Sequence, residues 1–152
     1  MTFREIAFGS EDFRDECELR HAVLRAPLGL SLHDEDIDRE RTHLHFGLFD
    51  ETGKLVACVV AVPLSSTEAK IRQMAVRDGQ QGRSHGRTLL RSVEDHLAQR
   101  GFRHLSLHAR LPAAGFYEKM GYTSTGAPFI EIGIPHVRME KTMSPAPLGK
   151  SG

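Results

Sequence analysis

Cysteine is scarce: Cys17 and Cys58 are the only two in 152 residues. A disulfide framework needs more than two isolated thiols. Cys17 falls in an expected helix and Cys58 in an apolar run, so both read as small buried hydrophobes. No stretch approaches the ~18 consecutive apolar residues of a membrane helix. The opening segment MTFREIAFGSEDF carries charges where a secretory leader needs an apolar core, so the cytoplasm is the expected location. An excess of one charge is missing too. Lysine plus arginine equals aspartate plus glutamate at 20 each, which removes the electrostatic argument for a nucleic-acid partner.

What remains is a globular composition, 39% hydrophobic and 26% charged, on a chain of one-domain length. Residues 1–143 are the expected domain. Residues 144–152 (SPAPLGKSG) hold proline and glycine and little to bury, so a disordered tail is expected there. Alternation predicts strands over 2–8, 44–49, 55–64, 70–76, 102–109, 122–128 and 133–143. Asp50 to Gly53 supply hairpin turn chemistry between the second and third. Ser10 is placed to cap a helix that Pro27 and Gly29 stop. Residues 84–100 form the clearest helix, with Leu89, Leu90, Val93 and Leu97 on one stripe and Gly101 closing it. A short helix is expected over 113–120. The acidic segment 34–40 reads as a solvated loop or irregular helix that could draw a cationic amine. His43 and His45 share one face of a strand, but no third residue at suitable spacing completes a metal site.

The chemistry concentrates in IRQMAVRDGQQGRSHGRTLL, residues 71–90. A strand enters a loop with Gly79, Gly82 and Gly86, and the loop opens onto the strongest helix. Amides in the first turn of a helix have no partner within it, and the dipole there favours an anion. Strand, glycine loop and helix start therefore suit a phosphate, with Arg83 and Arg87 adding charge. The P-loop pattern fails: three residues, not four, separate Gly82 from Gly86, and Arg87 stands where a lysine is needed. The dinucleotide pattern is absent as well. Glycine count alone does not separate a phosphate cradle from a capped helix with a flexible approach.

This segment resembles motif A of the GNAT superfamily of N-acetyltransferases. Gln81, Gly82, Arg83, Ser84, His85 and Gly86 match its loop, with Ser84 replacing a glycine. Further on, AAGFYEKMGY (residues 113–122) is similar to the family's next motif. LRHAVLR (residues 19–25) and GIPHVRMEK (residues 133–141) resemble its ElaA-like branch. The resemblance implies an α+β fold of three-layer type: a mixed, mostly antiparallel central sheet with a splayed strand pair and flanking helices. It implies acetyl-CoA as cosubstrate and transfer of its acetyl group to a primary amine by direct attack. The acceptor would be a small molecule or a peptide, and a homodimer is among the arrangements the resemblance allows.

Carried over by residue, the backbone of Met74, Ala75 and Val76 would pair with the pantetheine arm, and the Val76 amide would face the oxyanion. Gln81, Gly82, Arg83, Ser84, His85, Gly86 and Arg87 would hold the pyrophosphate. Ser84 is expected to be an ordinary helix cap that needs no positive φ. Phe116 would lie at the cofactor, although it also reads as a packing aromatic. Tyr117 would protonate the departing thiolate. Many relatives carry a glutamate on the strand that here holds Lys70 and Arg72. Its absence leaves Glu131, His136 and His108 as the residues offered for the base. With Ser84, it also keeps open a non-catalytic acyl-CoA-binding domain.

Overall fold

The apolar segments 44–49 and 55–63 fold into neighbouring antiparallel strands. The computed structural model describes residues 1–145. Their elements are β1 (Thr2–Ile6), α1 (Glu11–Arg20), β2 (Leu44–Phe49), β3 (Leu55–Pro63), β4 (Glu68–Val76), α2 (His85–Gln99), β5 (His104–Arg110), α3 (Ala114–Lys119), β6 (Thr123–Glu131) and β7 (Ile134–Thr142). The seven strands form one sheet in the order β1-β2-β3-β4-β5-β7-β6. Of the pairs with a defined register, β4 with β5 is parallel and the others are antiparallel. The expected mixed, mostly antiparallel sheet with flanking helices is therefore what forms. The expected tail lies outside the described residues except for Ser144 and Pro145. Among the described residues no helix is long and apolar enough to cross a membrane.

The chain divides into two compact units, Met1–Val62 with Arg72–Val93, and Pro63–Ile71 with Glu94–Gly152. In the first, Ile6, Phe13, Leu19, Phe49, Leu55, Cys58 and Ala75 make the apolar core. Gly47 on β2 is required by close approach: a Cβ there would meet Leu55 Cδ1 at 2.7 Å and Phe49 Cε1 at 2.8 Å. Ser10 caps α1 as expected, its hydroxyl accepting the Phe13 amide at 3.1 Å. A π-turn over His21–Arg25 and a 3₁₀ turn over Ala26–Leu28 follow, and Gly29 ends the run at φ 72°. Burial raises the Cys17 thiol to about 11 and the fully buried Cys58 thiol further, so neither is a nucleophile near neutrality.

The first unit also holds a buried charge cluster, where Glu40 departs from the expected solvated reading while Asp34, Glu35, Asp36 and Asp38 stay exposed. Residues Ile37–Thr42 form a 3₁₀ turn that carries Glu40 inward. Arg20, fully buried at the end of α1, donates to both oxygens of Glu40 at 2.8 and 2.6 Å and to Glu16 at 2.8 Å. His45 Nδ1 lies 2.9 Å from the same Glu16 oxygen, and its Nε2 lies 3.0 Å from the Glu40 carbonyl. Both ring nitrogens face acceptors, an arrangement that favours the doubly protonated imidazolium. Glu16, Glu40 and His45 bring ligand-type atoms within 4.8 Å of one another, but the cation between the carboxylates is the Arg20 guanidinium.

Two opposed titrations bound this cluster. Burial works against ionised Glu40, but the hydrogen bond and charge of Arg20 bring it below its usual value of 4.5. Burial also works against charged His45, but the hydrogen bond and charge of Glu16, with the Glu40 carbonyl, raise it above 6.5. A lowered carboxyl stabilises above its unfolded pKa, and a raised histidine stabilises below its own. The cluster is therefore fully stabilising between 4.5 and 6.5 and weakens as pH rises through the folded value of His45. Its neighbour His43 is lowered, first by burial, and opposes this trend below 6.5. The stability difference between wild type and H45Q, from urea unfolding, isolates His45. It is expected to shrink as pH rises from 6.5, and a difference independent of pH would contradict the imidazolium.

Candidate functional site

Within the first unit, β4 delivers its last residues to the glycine loop. Arg77 fixes the exit: its amide donates to the Val56 carbonyl at 2.8 Å and its Nε to the Leu55 carbonyl at 2.8 Å. Gln81 closes the loop by donating its side-chain amide to the Val76 carbonyl at 3.1 Å. Gly79 and Gly82 take φ of 85° and 78°, and a Cβ on either would meet nothing within 4 Å. Backbone direction, not crowding by protein, requires glycine there. The Thr88 amide makes the helical bond to the Ser84 carbonyl at 3.0 Å. The amides of His85, Gly86 and Arg87 precede it in the first turn and have no acceptor within the helix. Arg83 and Arg87 are exposed at this end.

Ser84 corrects the sequence reading. Its carbonyl does open α2, but its φ is 63°, in the left-handed region. The loop needs that turn to bring the chain into the helix, and serine makes it under strain. A Cβ in this region costs about 1–2 kcal/mol. Ser84→Gly is expected to stabilise by about 0.5–1 kcal/mol, since glycine's freedom in the unfolded chain returns part of the gain. Urea unfolding checks this, and a loss of stability would contradict the strain.

The second unit gathers the remaining residues singled out by sequence. Tyr117 lies on α3, its ring edge-on to Phe116 at 5.0 Å and to Tyr122 at 5.8 Å. The two tyrosines differ. Tyr122 donates to Glu94 at 2.7 Å, and Lys141 donates to the other oxygen of Glu94 at 3.0 Å. Burial and the Glu94 charge hold the Tyr122 phenol protonated. Tyr117 keeps part of its surface open to solvent, yet the protein packed around it raises its phenol to about 12. It is a protonated donor at neutral pH.

His108, Glu131 and His136, offered separately as bases, converge. Pairing of β5 with β7 sets Arg110 opposite His136, and the tight β6–β7 turn sets Glu131 opposite Ile134. His108 Nδ1 lies 2.9 Å from Glu131 Oε1, and His136 Nε2 lies 3.7 Å from Glu131 Oε2. His136 donates Nδ1–H to the Ile134 carbonyl at 2.9 Å. Phe129 meets His108 edge-on at 4.9 Å and stacks on His136 at 6.1 Å. Burial works against ionised Glu131, but the hydrogen bond and charge of His108, then the charges of His136 and Lys70, bring it below its usual value. An ionised Glu131 holds the Nδ1 proton of His108 and leaves Nε2 as the basic nitrogen.

The family model of the acetyltransferase (GNAT) domain matches residues 31–143. The chain belongs to this family. The uncharacterized N-acetyltransferase YitI of Bacillus subtilis is 32% identical over 136 residues, 85% of this chain and 91% of that protein. A crystal structure from Lactobacillus plantarum, named as an N-acetyltransferase, matches with a TM-score of 0.81 at 28% identity, over 93% of this chain and 99% of that one. Escherichia coli ElaA matches at 0.79 with 19% identity, over 92% and 98%. A GNAT acetyltransferase from Elizabethkingia anophelis, with acetyl-CoA bound, matches at 0.72 with 17% identity, over 93% and 97%. The last two likenesses are of fold.

One strand feature escaped the sequence. The β4–β5 ladder runs from Glu68↔His104 to Ile71↔Leu107, and β4 continues to Val76. Two residues beyond the last rung, Gln73 takes φ 53°. Glutamine carries no signal for that conformation, and the apolar alternation of Ile71, Met74 and Val76 already slips there by one residue.

Proposed function

We propose that the protein transfers an acetyl group from acetyl-CoA to a primary amine, with the pyrophosphate held at the start of α2. The amides of His85 to Arg87, which have no acceptor within the helix, and the positive φ of Gly79, Gly82 and Ser84 before them carry this reading. Such amides bind an anion without reorganising. The backbone of Met74 to Val76 pairs with the pantetheine arm. Gln81 occupies the Val76 carbonyl, and the Val76 amide is assigned to the oxyanion. Gln81 thus serves through its side chain, and Phe116 serves chiefly as packing for Tyr117.

The amine attacks the thioester carbon directly. Both thiols are raised by burial, which supports transfer without a cysteine intermediate. His108 Nε2, with its other nitrogen bound to Glu131, takes the proton the amine loses, and His136 steadies Glu131 from the other side. Tyr117 then gives its proton to the departing CoA thiolate. The acceptor is a small-molecule or peptide amine. Two free cysteines fit a cytoplasmic location.

A panel of primary amines, with free thiol measured after mixing with acetyl-CoA, tests the reading. CoA release with at least one amine is the expected result, and binding without release across the panel would favour a non-catalytic acyl-CoA domain. With an active amine in hand, Glu131→Gln is expected to lower turnover about tenfold or more and to leave CoA affinity unchanged. Undiminished turnover would remove the dyad from the mechanism.

A further inference from the structure

Gln73 takes its left-handed conformation in the middle of a strand, and its side chain is bound by Arg20. Arg20 Nε donates to Gln73 Oε1 at 2.7 Å. The guanidinium itself cannot shift. Its other nitrogens are bound to Glu40 through two bonds and to Glu16 through one. Glu16 is bound in turn by His45, which also reaches the Glu40 carbonyl. Residues from α1, the 3₁₀ turn Ile37–Thr42 and β2 thus hold the guanidinium that binds one side-chain oxygen of β4. Strain persists only where surrounding contacts over-determine it. Here those contacts are charged, buried and mutually bonded, and the residues after Gln73 are Met74, Ala75 and Val76.

We propose that Arg20 and Gln73 are positioning residues: the buried Glu16–Arg20–Glu40–His45 cluster holds Gln73 in its left-handed conformation, and the clamp fixes the direction in which Met74 to Val76 present their backbone. The pull acts along one bond. Without it, residue 73 relaxes toward ordinary strand dihedrals, and that change in φ turns the peptides that follow it. That the reoriented peptides would weaken cofactor binding rests on assigning Met74 to Val76 to the pantetheine arm. The clamp itself does not.

Two variants separate the clamp from general stability. Gln73→Met keeps side-chain length and removes the acceptor. Gln73→Glu keeps an acceptor for Arg20 Nε. In the free protein, amide exchange followed by NMR at Met74, Ala75 and Val76 is expected to quicken about tenfold in Q73M and to return toward wild type in Q73E. Calorimetric titration with CoA is expected to show about tenfold weaker binding to Q73M, largely restored in Q73E. A purely structural contact would move the melting temperature without singling out these three amides. Unchanged exchange at these residues in Q73M overturns the clamp. If the wild type itself ignores CoA, the assignment of the pantetheine arm fails, and exchange alone still decides the proposal.

Discussion

Replacing Tyr117 by phenylalanine is expected to lower turnover about a hundredfold and to leave CoA affinity where it was. The expulsion of a thiolate is assisted only if a proton is at hand as the C–S bond breaks. Any phenol keeps its proton at neutral pH, and burial raises that of Tyr117 further, to about 12. Tyr122 cannot substitute, since its hydroxyl is committed to Glu94 at 2.7 Å. Phenylalanine preserves the edge-on contacts with Phe116 and Tyr122, so the fold has little reason to respond. Turnover from initial rates and affinity from calorimetry must therefore separate. Equal losses in both would make Tyr117 a packing residue, and unchanged turnover would assign the proton to another group.

The largest expected effect on stability comes from Arg20→Met. The substitution removes the cation between two buried carboxylates, Glu16 at 0% and Glu40 at 7% exposure, and leaves His45 as the remaining charge against Glu16. Breaking one partner out of a buried ionic cluster costs about 3–5 kcal/mol, because the charges left behind stay buried. That is a large share of the roughly 5–15 kcal/mol that holds a domain together. Urea unfolding measures it. Adding Glu16→Gln and Glu40→Gln to R20M is expected to recover part of the loss, since those charges are then gone as well. A loss below about 1 kcal/mol in the single variant would class the cluster with exposed ion pairs.

Much of this architecture can be read from the sequence where one physical rule acts alone. Asp50 accepts the amides of Thr52 and Lys54, and Gly53 turns at φ 85°, as the residue types between β2 and β3 imply. Leu89, Leu90, Val93 and Leu97 are all fully buried, which is the stripe that helical spacing gives. The shape of the glycine loop is legible for the same reason, with Gly79 and Gly82 at positive φ before a strong helix, whereas glycine count alone does not say what the loop holds.

The rest depends on registers and burial that no local pattern carries. His108 lies 23 residues before Glu131 and His136 lies across a hairpin from it, and two strand ladders bring the three together. Glu40 reads as a solvated charge because such residues are rarely buried unless paired, and its pairing with Arg20 spans 20 residues. Glu16 and Arg20, four apart on α1, carry the one local hint. Ser84 misleads in a different way. Serine is so common a cap that its presence before a helix suggests ordinary geometry, whereas here a serine holds a turn suited to glycine.

The central claim is that unpaired amides at the start of α2 hold an anionic part of the cofactor. Calorimetric titrations with CoA and with pantetheine, which has the same thiol arm but no pyrophosphate, test it most directly. The account predicts that CoA binds about a hundredfold tighter or more, a difference of roughly 2.7 kcal/mol. Equal affinity for the two, or no binding of either, would contradict it.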